Sequence, residues 1–488
     1  MRASGILMPI FSLPSPYGIG TFGKAAYEFV DFLKEAGQSY WQILPLGPTG
    51  FGDSPYQSFS SFAGNPYFID LDTLKEWGYL HSGEYEHIDY GTPNFVDYGK
   101  LYNNRLPILN LAASRFLENP TNDYSEFCSA NEFWLEDFAL FMALKNDGVY
   151  LNNMPKSLLA RKKDALLEAK EKYTKEIEII KAIQYFFFKQ WKKLKEYANE
   201  NGIKIIGDIP IYVSPDSADL WANPEQFLLD TEGKPTAVAG CPPDAFSEDG
   251  QLWGNPLYNW DKMKSDGYAW WQSRIAHSAS LYDVVRIDHF RAFDEYYAIP
   301  FGDENAKKGR WEKGPGMSLI NAINQVEGIE IIAEDLGHLT DSVEELLNRS
   351  GYPGMAVLQF AFDPKADSKY LPHNICKNCV VYVGTHDNDT VNGWINAITS
   401  AEFEFCTAYL RLNTNEGYNW GMIKAALATA ADTCIIQMQD LLGLGSEGRI
   451  NTPSVSEGNW QWRIAVGCVN SWLAGILKEQ TKLYRRTK

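Results

Sequence analysis

Short apolar runs recur along the chain, separated by stretches with helical periodicity. Eight stand out: Gly5–Met8 (GILM), Tyr40–Leu46 (YWQILPL), Ile203–Gly207 (IKIIG), Asp283–Ile287 (DVVRI), Glu330–Ala333 (EIIA), Ala356–Phe362 (AVLQFAF), Val380–Gly384 (VVYVG) and Cys434–Met438 (CIIQM). Near-continuous Ile/Val runs suit parallel strands covered on both faces. Helical patterns such as Lys24–Ala36 and Asp341–Arg349 lie between most of them. Eight strands alternating with helices predict an α/β fold, a (β/α)8 TIM barrel. A doubly wound open sheet is the structural alternative.

The spacing is uneven. Well over a hundred residues separate the second run from the third, and from about Asn94 to Asn199 they read as helix. We therefore expect one catalytic barrel spanning 1–488, with a helical insertion at approximately 85–200. The charged run RKKDALLEAKEKYTKEIE reads as a solvated helix face rather than an interaction tail. The segment QYFFFKQWKKLKEYA reads as a helix laying its aromatic face on the barrel rather than as a membrane helix.

Composition narrows the class. The chain has 488 residues, with 44 Lys and Arg against 62 Asp and Glu, so its net charge is −18. That balance argues against nucleic acid or an anionic membrane as partner, since both want a basic face. Aromatic residues reach 14%. Their flat faces can stack on sugars or fill a core, and composition does not choose between these. The seven cysteines are odd in number and scattered, unlike an oxidised framework. The start, MRASGILMPIFSLPSPYG, lacks the apolar core of a signal peptide. No stretch approaches the length of a membrane span. The expected location is cytoplasmic.

Three motifs are decoys. Gly18–Gly23 (GIGTFG) fits a dinucleotide fingerprint but follows Pro-Ser-Pro-Tyr instead of a strand. Gly47–Ser54 (GPTGFGDS) is one residue from a phosphate loop, but Asp53 stands where Lys must neutralise phosphate. Cys376 and Cys379 have CxxC spacing without a second pair to complete a zinc site, and read as incidental in a loop.

The chemistry lies at the strand ends. Val284–Ile287 runs into Asp288, Ile331–Ala333 into Glu334, and Val380–Gly384 into Thr385, His386 and Asp387; Asp208 follows Ile205–Gly207. In a parallel barrel all strand C-termini open on one face. Asp208, Asp288, Glu334 and Asp387 should therefore converge, although each alone also fits a turn or helix cap. Arg286 sits two residues before Asp288, and His386 directly precedes Asp387. Such a set suits retaining glycosyl transfer, in which one carboxylate attacks the anomeric carbon and a protonated carboxyl serves the leaving oxygen. Arg286 would keep a nucleophile ionised and would compete with a cation, so metal-dependent chemistry ranks lower. No cofactor and no metal are expected.

These motifs resemble those of glycoside hydrolase family 77, the 4-alpha-glucanotransferases (amylomaltases or disproportionating enzymes), relatives of the alpha-amylases. The similarity rests on SLPSPYGIG, FVDFLKEAGQSYWQILPLGPTGFGDSPYQSFSSFAGNP, IIGDIPIYV, PPDAFSEDGQLWGNPLY, VVRIDHFR, IIAEDLG, GYPGMAVLQFAF, GTHDND and EGNWQWR, and spans nearly the whole chain. The resemblance implies Asp288 as nucleophile, Glu334 as general acid/base and Asp387 as the holder of the donor sugar's hydroxyls. It also implies substrate-binding roles for Tyr56, Asp208, Trp253, Arg286, His386 and Asn451. Arg286 would orient Asp288, with Asp208 beside it. Tyr56 would stack beneath the donor ring, and Trp253 would be a platform on the acceptor side. A lid and acceptor-side insertion would occupy approximately 212–275. The implied partners are alpha-1,4-glucans and maltooligosaccharides. Trp253 and Tyr56 could instead be packing residues, and Arg286 with Asp208 only a structural ion pair. Hydrolysis by the same glycosyl-enzyme, or glucan binding without catalysis, are the alternative functions.

The chain departs from the family pattern at Phe51, Cys241, Ala245 and Ala292. It also reads Asn451-Thr-Pro-Ser-Val455 where the pattern is close to NxPGT. None of these touches the three carboxylates.

Overall fold

Each of the eight apolar runs places a strand in one parallel sheet. In the computed structural model, which describes residues 2–50, 52–243, 247–337 and 339–487, the strands are β1 (Ala3–Leu7), β2 (Tyr40–Gln42), β3 (Lys204–Ile209), β4 (Val284–Ile287), β5 (Glu330–Ala333), β6 (Gly354–Val357), β7 (Cys379–Tyr382) and β8 (Thr433–Gln437). Their order is β6-β7-β8-β1-β2-β3-β4-β5, with every neighbouring pair parallel. The two ends approach each other. Ala333 N donates to Pro353 O at 3.0 Å, and Met355 N donates to the Asp335 carboxylate at 2.6 Å. Tyr382 of β7 donates to Gln42 of β2 at 2.9 Å, a bond between strands that are not neighbours and so one that spans the interior. The sheet is a nearly closed barrel with helices around it. Ile6, Trp41, Ile205, Val285, Val381 and Ile435 of these strands are fully buried.

Most strand limits differ from the sequence pattern by a few residues. β2 stops at Gln42, shortly before Pro45, which has no N–H to offer a ladder. β6 begins earlier than Ala356, because Gly354 and Met355 already pair with Cys379 and Val380 of β7, and it ends where Leu358–Phe360 turns into a 3-10 helix. β3 runs on to Ile209, so Asp208 lies within the strand.

Between β2 and β3 lie the helices Tyr98–Glu118, Asn122–Ala130, Glu132–Asn146, Lys163–Lys172 and Thr174–Glu200. The last of these buries Phe186, Phe187, Trp191 and Leu194, and Trp191 Nε1 donates to Leu281 O at 3.0 Å. It grips the segment after β2 through two side-chain amides. Gln184 accepts from Gly64 N (2.8 Å) and donates to Gly64 O (2.9 Å), while Gln190 does the same for Asp70 (2.7 and 3.1 Å). A Cβ on Gly64 would stand 2.2 Å from the Phe187 ring, so only glycine permits this approach.

A second sheet was not visible in the apolar pattern. It is antiparallel and four-stranded, in the order Gln251–Pro256, Ala237–Cys241, Glu295–Pro300, Arg310–Lys313. Half of it precedes β4 and half follows. It has its own small core of Val238, Tyr297, Ile299 and Ala306. Among the described residues, no helix is long and apolar enough to cross a membrane.

Replacing Gln184 with Ala strands a buried N–H and C=O on Gly64, and should cost roughly 2–3 kcal/mol in denaturant unfolding. Lys192→Ala, on the exposed face of the same helix, should stay within about 0.5 kcal/mol of the parent. Equal losses would mean that the amide clamp contributes nothing.

Candidate active site

β3 and β4 pair with Asp208 opposite Arg286. Both side chains lie at the catalytic end of the barrel, 0% and 4% exposed. Arg286 NH1 donates to both Asp208 oxygens, at 2.9 and 2.7 Å. Its NH2 lies 2.8 Å from Asp288 Oδ1, two residues on. Its Nε points at the thioether of Met355 on β6, at 3.3 Å. One guanidinium therefore serves two carboxylates and an uncharged sulfur. Burial pushes the Asp208 carboxyl up to about 7, while Arg286 and the Tyr56 hydroxyl, which donates to it at 3.0 Å, favour its anion. With both oxygens occupied by a cation, the ion pair is the state the geometry fits. Burial works against the Arg286 charge, but Asp208 and Asp288 raise its pKa well above the ordinary value.

The pair is supporting structure, and the groups beside it are more open. The Asp288 side chain is 33% exposed and that of Asp387 44%. Glu334, after β5, is held differently from Asp288. Its Oε2 accepts from His289 N at 2.7 Å and its Oε1 from Leu336 N at 2.8 Å. Burial, and then the nearby Asp288 charge, push its carboxyl up to about 7 against Arg286 and the two N–H donors. Asp288 thus lies against a cation, while Glu334 is held by main-chain N–H groups. His289 makes this possible with a left-handed backbone at φ 55°, a conformation that costs a non-glycine residue about 1 kcal/mol.

The segments after β7 and β8 meet over Asp387. Asn451 Nδ2 donates to Asp387 Oδ1 at 2.6 Å, and Arg449 NH2 donates to the Asp387 carbonyl at 2.7 Å. His386 Nε2 lies 3.3 Å from Asp387 Oδ2. Burial lowers the His386 pKa, which favours the neutral ring. That ring stacks on Tyr56, with centroids 5.1 Å apart and 17° between planes, and Trp460 packs against both. Trp253, on the antiparallel sheet, meets the His289 ring edge-on at 4.9 Å and donates to Gln251 Oε1 at 3.0 Å.

All nine residues singled out in the sequence stand in this neighbourhood: seven in one connected network, and Glu334 and Trp253 joined to it through His289. Residues the sequence did not single out also belong to it. Met355 reads as an ordinary core residue, and Arg449 as a loop residue. Trp460 lies in a motif already noted, EGNWQWR, which was the available signal. Among the departures, Ala292 is buried in the turn after Asp288, and Cys241 pairs with Gln251 in the small sheet. Ser454, at the Gly position of the NxPGT pattern, adopts φ 65°. Asn459 braces that turn, accepting from Thr452 N (2.8 Å) and donating to Val455 O (2.8 Å). Phe51 and Ala245 lie outside the described residues.

The decoys resolve as structure. Gly18, at φ 81°, is a turn against Tyr90 ahead of helix Lys24–Glu35. Burial pushes the Cys379 thiol up, the reverse of what a reactive thiolate needs. Among the described residues, no cluster of His, Cys, Asp and Glu is arranged to hold a metal ion.

Residues 8–468 match the model of a family described as 4-alpha-glucanotransferase. A 4-alpha-glucanotransferase of Clostridium butyricum is 49% identical over 485 residues, covering 98% of this chain and 100% of that protein. One of Thermus thermophilus is 47% identical, covering 96% and 95%. The solved structure of the amylomaltase from Streptococcus agalactiae in complex with acarbose superposes with a TM-score of 0.97 at 44% identity, covering 100% of both chains. The amylomaltase from Corynebacterium glutamicum, at 18% identity, shares the fold with a TM-score of 0.76, covering 100% of this chain and 75% of that one.

The difference between buried support and open groups predicts two stabilities. Asp208→Ala leaves a buried guanidinium half-paired and should cost about 3–5 kcal/mol in denaturant unfolding. Asp387→Ala, at a half-open carboxylate, should cost less than about 1 kcal/mol. Comparable costs would contradict this division.

Proposed function

Because this chain belongs to the 4-alpha-glucanotransferase family, we propose that Asp288, Glu334 and Asp387 divide the family's reaction between them. That reaction transfers alpha-1,4-glucan segments from donor to acceptor by a retaining double displacement. Asp288 attacks the anomeric carbon of the donor, and the C–O bond to the leaving glucan breaks. Glu334 delivers its proton to the leaving oxygen. The acceptor's 4-hydroxyl then attacks the glycosyl-Asp288 ester, Glu334 takes back a proton, and Asp288 leaves as a carboxylate.

The observation that carries this reading is the contrasting treatment of the two carboxyls. Arg286 lies against Asp288 at 2.8 Å, an ion pair that keeps a nucleophile charged. Among the described residues Glu334 forms no ion pair, and it is pushed up to about 7, so it holds a proton near neutrality. Asp387, with Oδ1 tied to Asn451, offers Oδ2 to the donor sugar's hydroxyls. Tyr56 and neutral His386 form a flat wall for the same ring. Trp253 beside His289 supports an acceptor platform, which would bind sugar and exclude water.

The same reading assigns the helices between β2 and β3 to an insertion on a single catalytic barrel, and approximately 212–275 to a lid and acceptor-side insertion. It takes maltooligosaccharides as donor and acceptor, and acts in the cytoplasm. The relative solved with acarbose supports a sugar-shaped cleft here.

Incubation with maltotriose alone should give glucose and a ladder of longer maltooligosaccharides, with little net gain in reducing ends. A steady rise in reducing ends without longer products would overturn transfer. Glu334 must be protonated for the first step, so kcat/KM for maltooligosaccharides should fall as pH rises through about 7. With maltosyl fluoride, whose leaving group needs no proton, Glu334→Gln should still form the intermediate and should lose that alkaline limb. An unchanged limb in the variant would assign the titration to another group.

A further inference from the structure

Asn451 reaches Asp387 because the chain after β8 folds over the chain after β7, and Arg449 makes the join. Its NH2 donates to the Asp387 carbonyl at 2.7 Å, and its Nε donates to the Asn451 carbonyl at 2.8 Å. One planar guanidinium therefore spans the main chains of both residues. The Asn451 side chain closes the ring by donating to Asp387 Oδ1 at 2.6 Å. Ser446, three residues before Arg449, adds a tie to Asp389 at 2.7 Å. Among the described residues, Arg449 forms no ion pair: its two hydrogen-bond acceptors are both main-chain oxygens. Its contribution is geometric. The fork of N–H groups fixes the separation of two carbonyls, which a lysine ammonium on a flexible stem cannot do.

We propose that Arg449 is a positioning residue for the transfer reaction, locking Asp387 and Asn451 in register so that Asp387 Oδ2 alone faces the donor sugar. This rests on the reading of Asp387 as the group that holds the donor hydroxyls. Contacts to those hydroxyls strengthen as the sugar flattens toward an oxocarbenium ion. Loosening the lock therefore weakens transition-state binding more than ground-state binding. The loss falls on kcat and leaves KM nearly unchanged.

The test uses the full-length enzyme with maltotriose. Arg449→Ala and Arg449→Lys should both lower kcat on the order of 10- to 100-fold, with KM within about threefold, as expected for a displaced catalytic neighbour. Millimolar methylguanidinium should restore part of the Arg449→Ala rate, and methylammonium should not. In an Asp387→Asn background, Arg449→Ala should cost little more, because the two act through one contact. Full activity in Arg449→Lys would overturn the proposal by showing that charge alone suffices. An equal cost in both backgrounds would overturn it by showing that Arg449 acts elsewhere. A raised KM with unchanged kcat would also overturn it. Arg449→Gln, which keeps a polar group of similar reach, provides the same readouts if the alanine variant does not fold. Asp387→Asn with parental kcat would sink the reading of Asp387 itself, and it is measured separately.

Discussion

Arg286 holds the site together. It is a buried cation within bonding distance of two carboxylates, at the end of a barrel whose open face also carries Glu334 and Asp387. Four acids around one cleft would repel one another and drift toward the neutral state. A single guanidinium sets which of them stays charged. It pairs fully with Asp208, which is sealed from solvent, and singly with Asp288, which remains partly open. The arrangement costs desolvation, and it holds because nearly every N–H of the guanidinium has a partner. The Met355 sulfur takes the remaining Nε direction without adding another charge.

Placement does the rest of the tuning. Glu334 lies one strand further round the barrel, and among the described residues its carboxyl receives main-chain N–H groups alone. Burial and the Asp288 charge then favour its proton. The same residue type would behave differently two strands away. Differences of placement of this kind let neighbouring carboxyls take different roles. The strained turn at His289 aims the N–H that fixes Glu334, so backbone strain at one residue orients the next group.

The barrel was legible in the sequence because strands buried on both faces leave continuous apolar runs. The antiparallel sheet was not. Its strands mix exposed and buried positions, as in Gln251–Pro256, or stay largely exposed, as in Arg310–Lys313, and the intervening β4 separates its halves. The acids were legible because a barrel puts strand ends on one face and because their flanking motifs are distinctive. Met355 and Arg449 were not, for a common reason. Their roles depend on which main-chain or side-chain atom lies opposite in space, and neither composition nor periodicity records that. Asp208 was placed at a strand end, yet it lies inside β3, where the register against β4 sets it opposite Arg286.

The central claim is that Asp288 carries the sugar between donor and acceptor while Glu334 handles the proton. The most direct measurement is to mix Glu334→Gln with maltosyl fluoride, quench in acid, digest with pepsin and weigh the peptides. The account predicts a maltosyl increment on the peptide that contains Asp288, lost when Asp288 is changed to Asn. An increment on a peptide bearing Asp208 or Asp387 instead, or turnover with no increment anywhere, would contradict it.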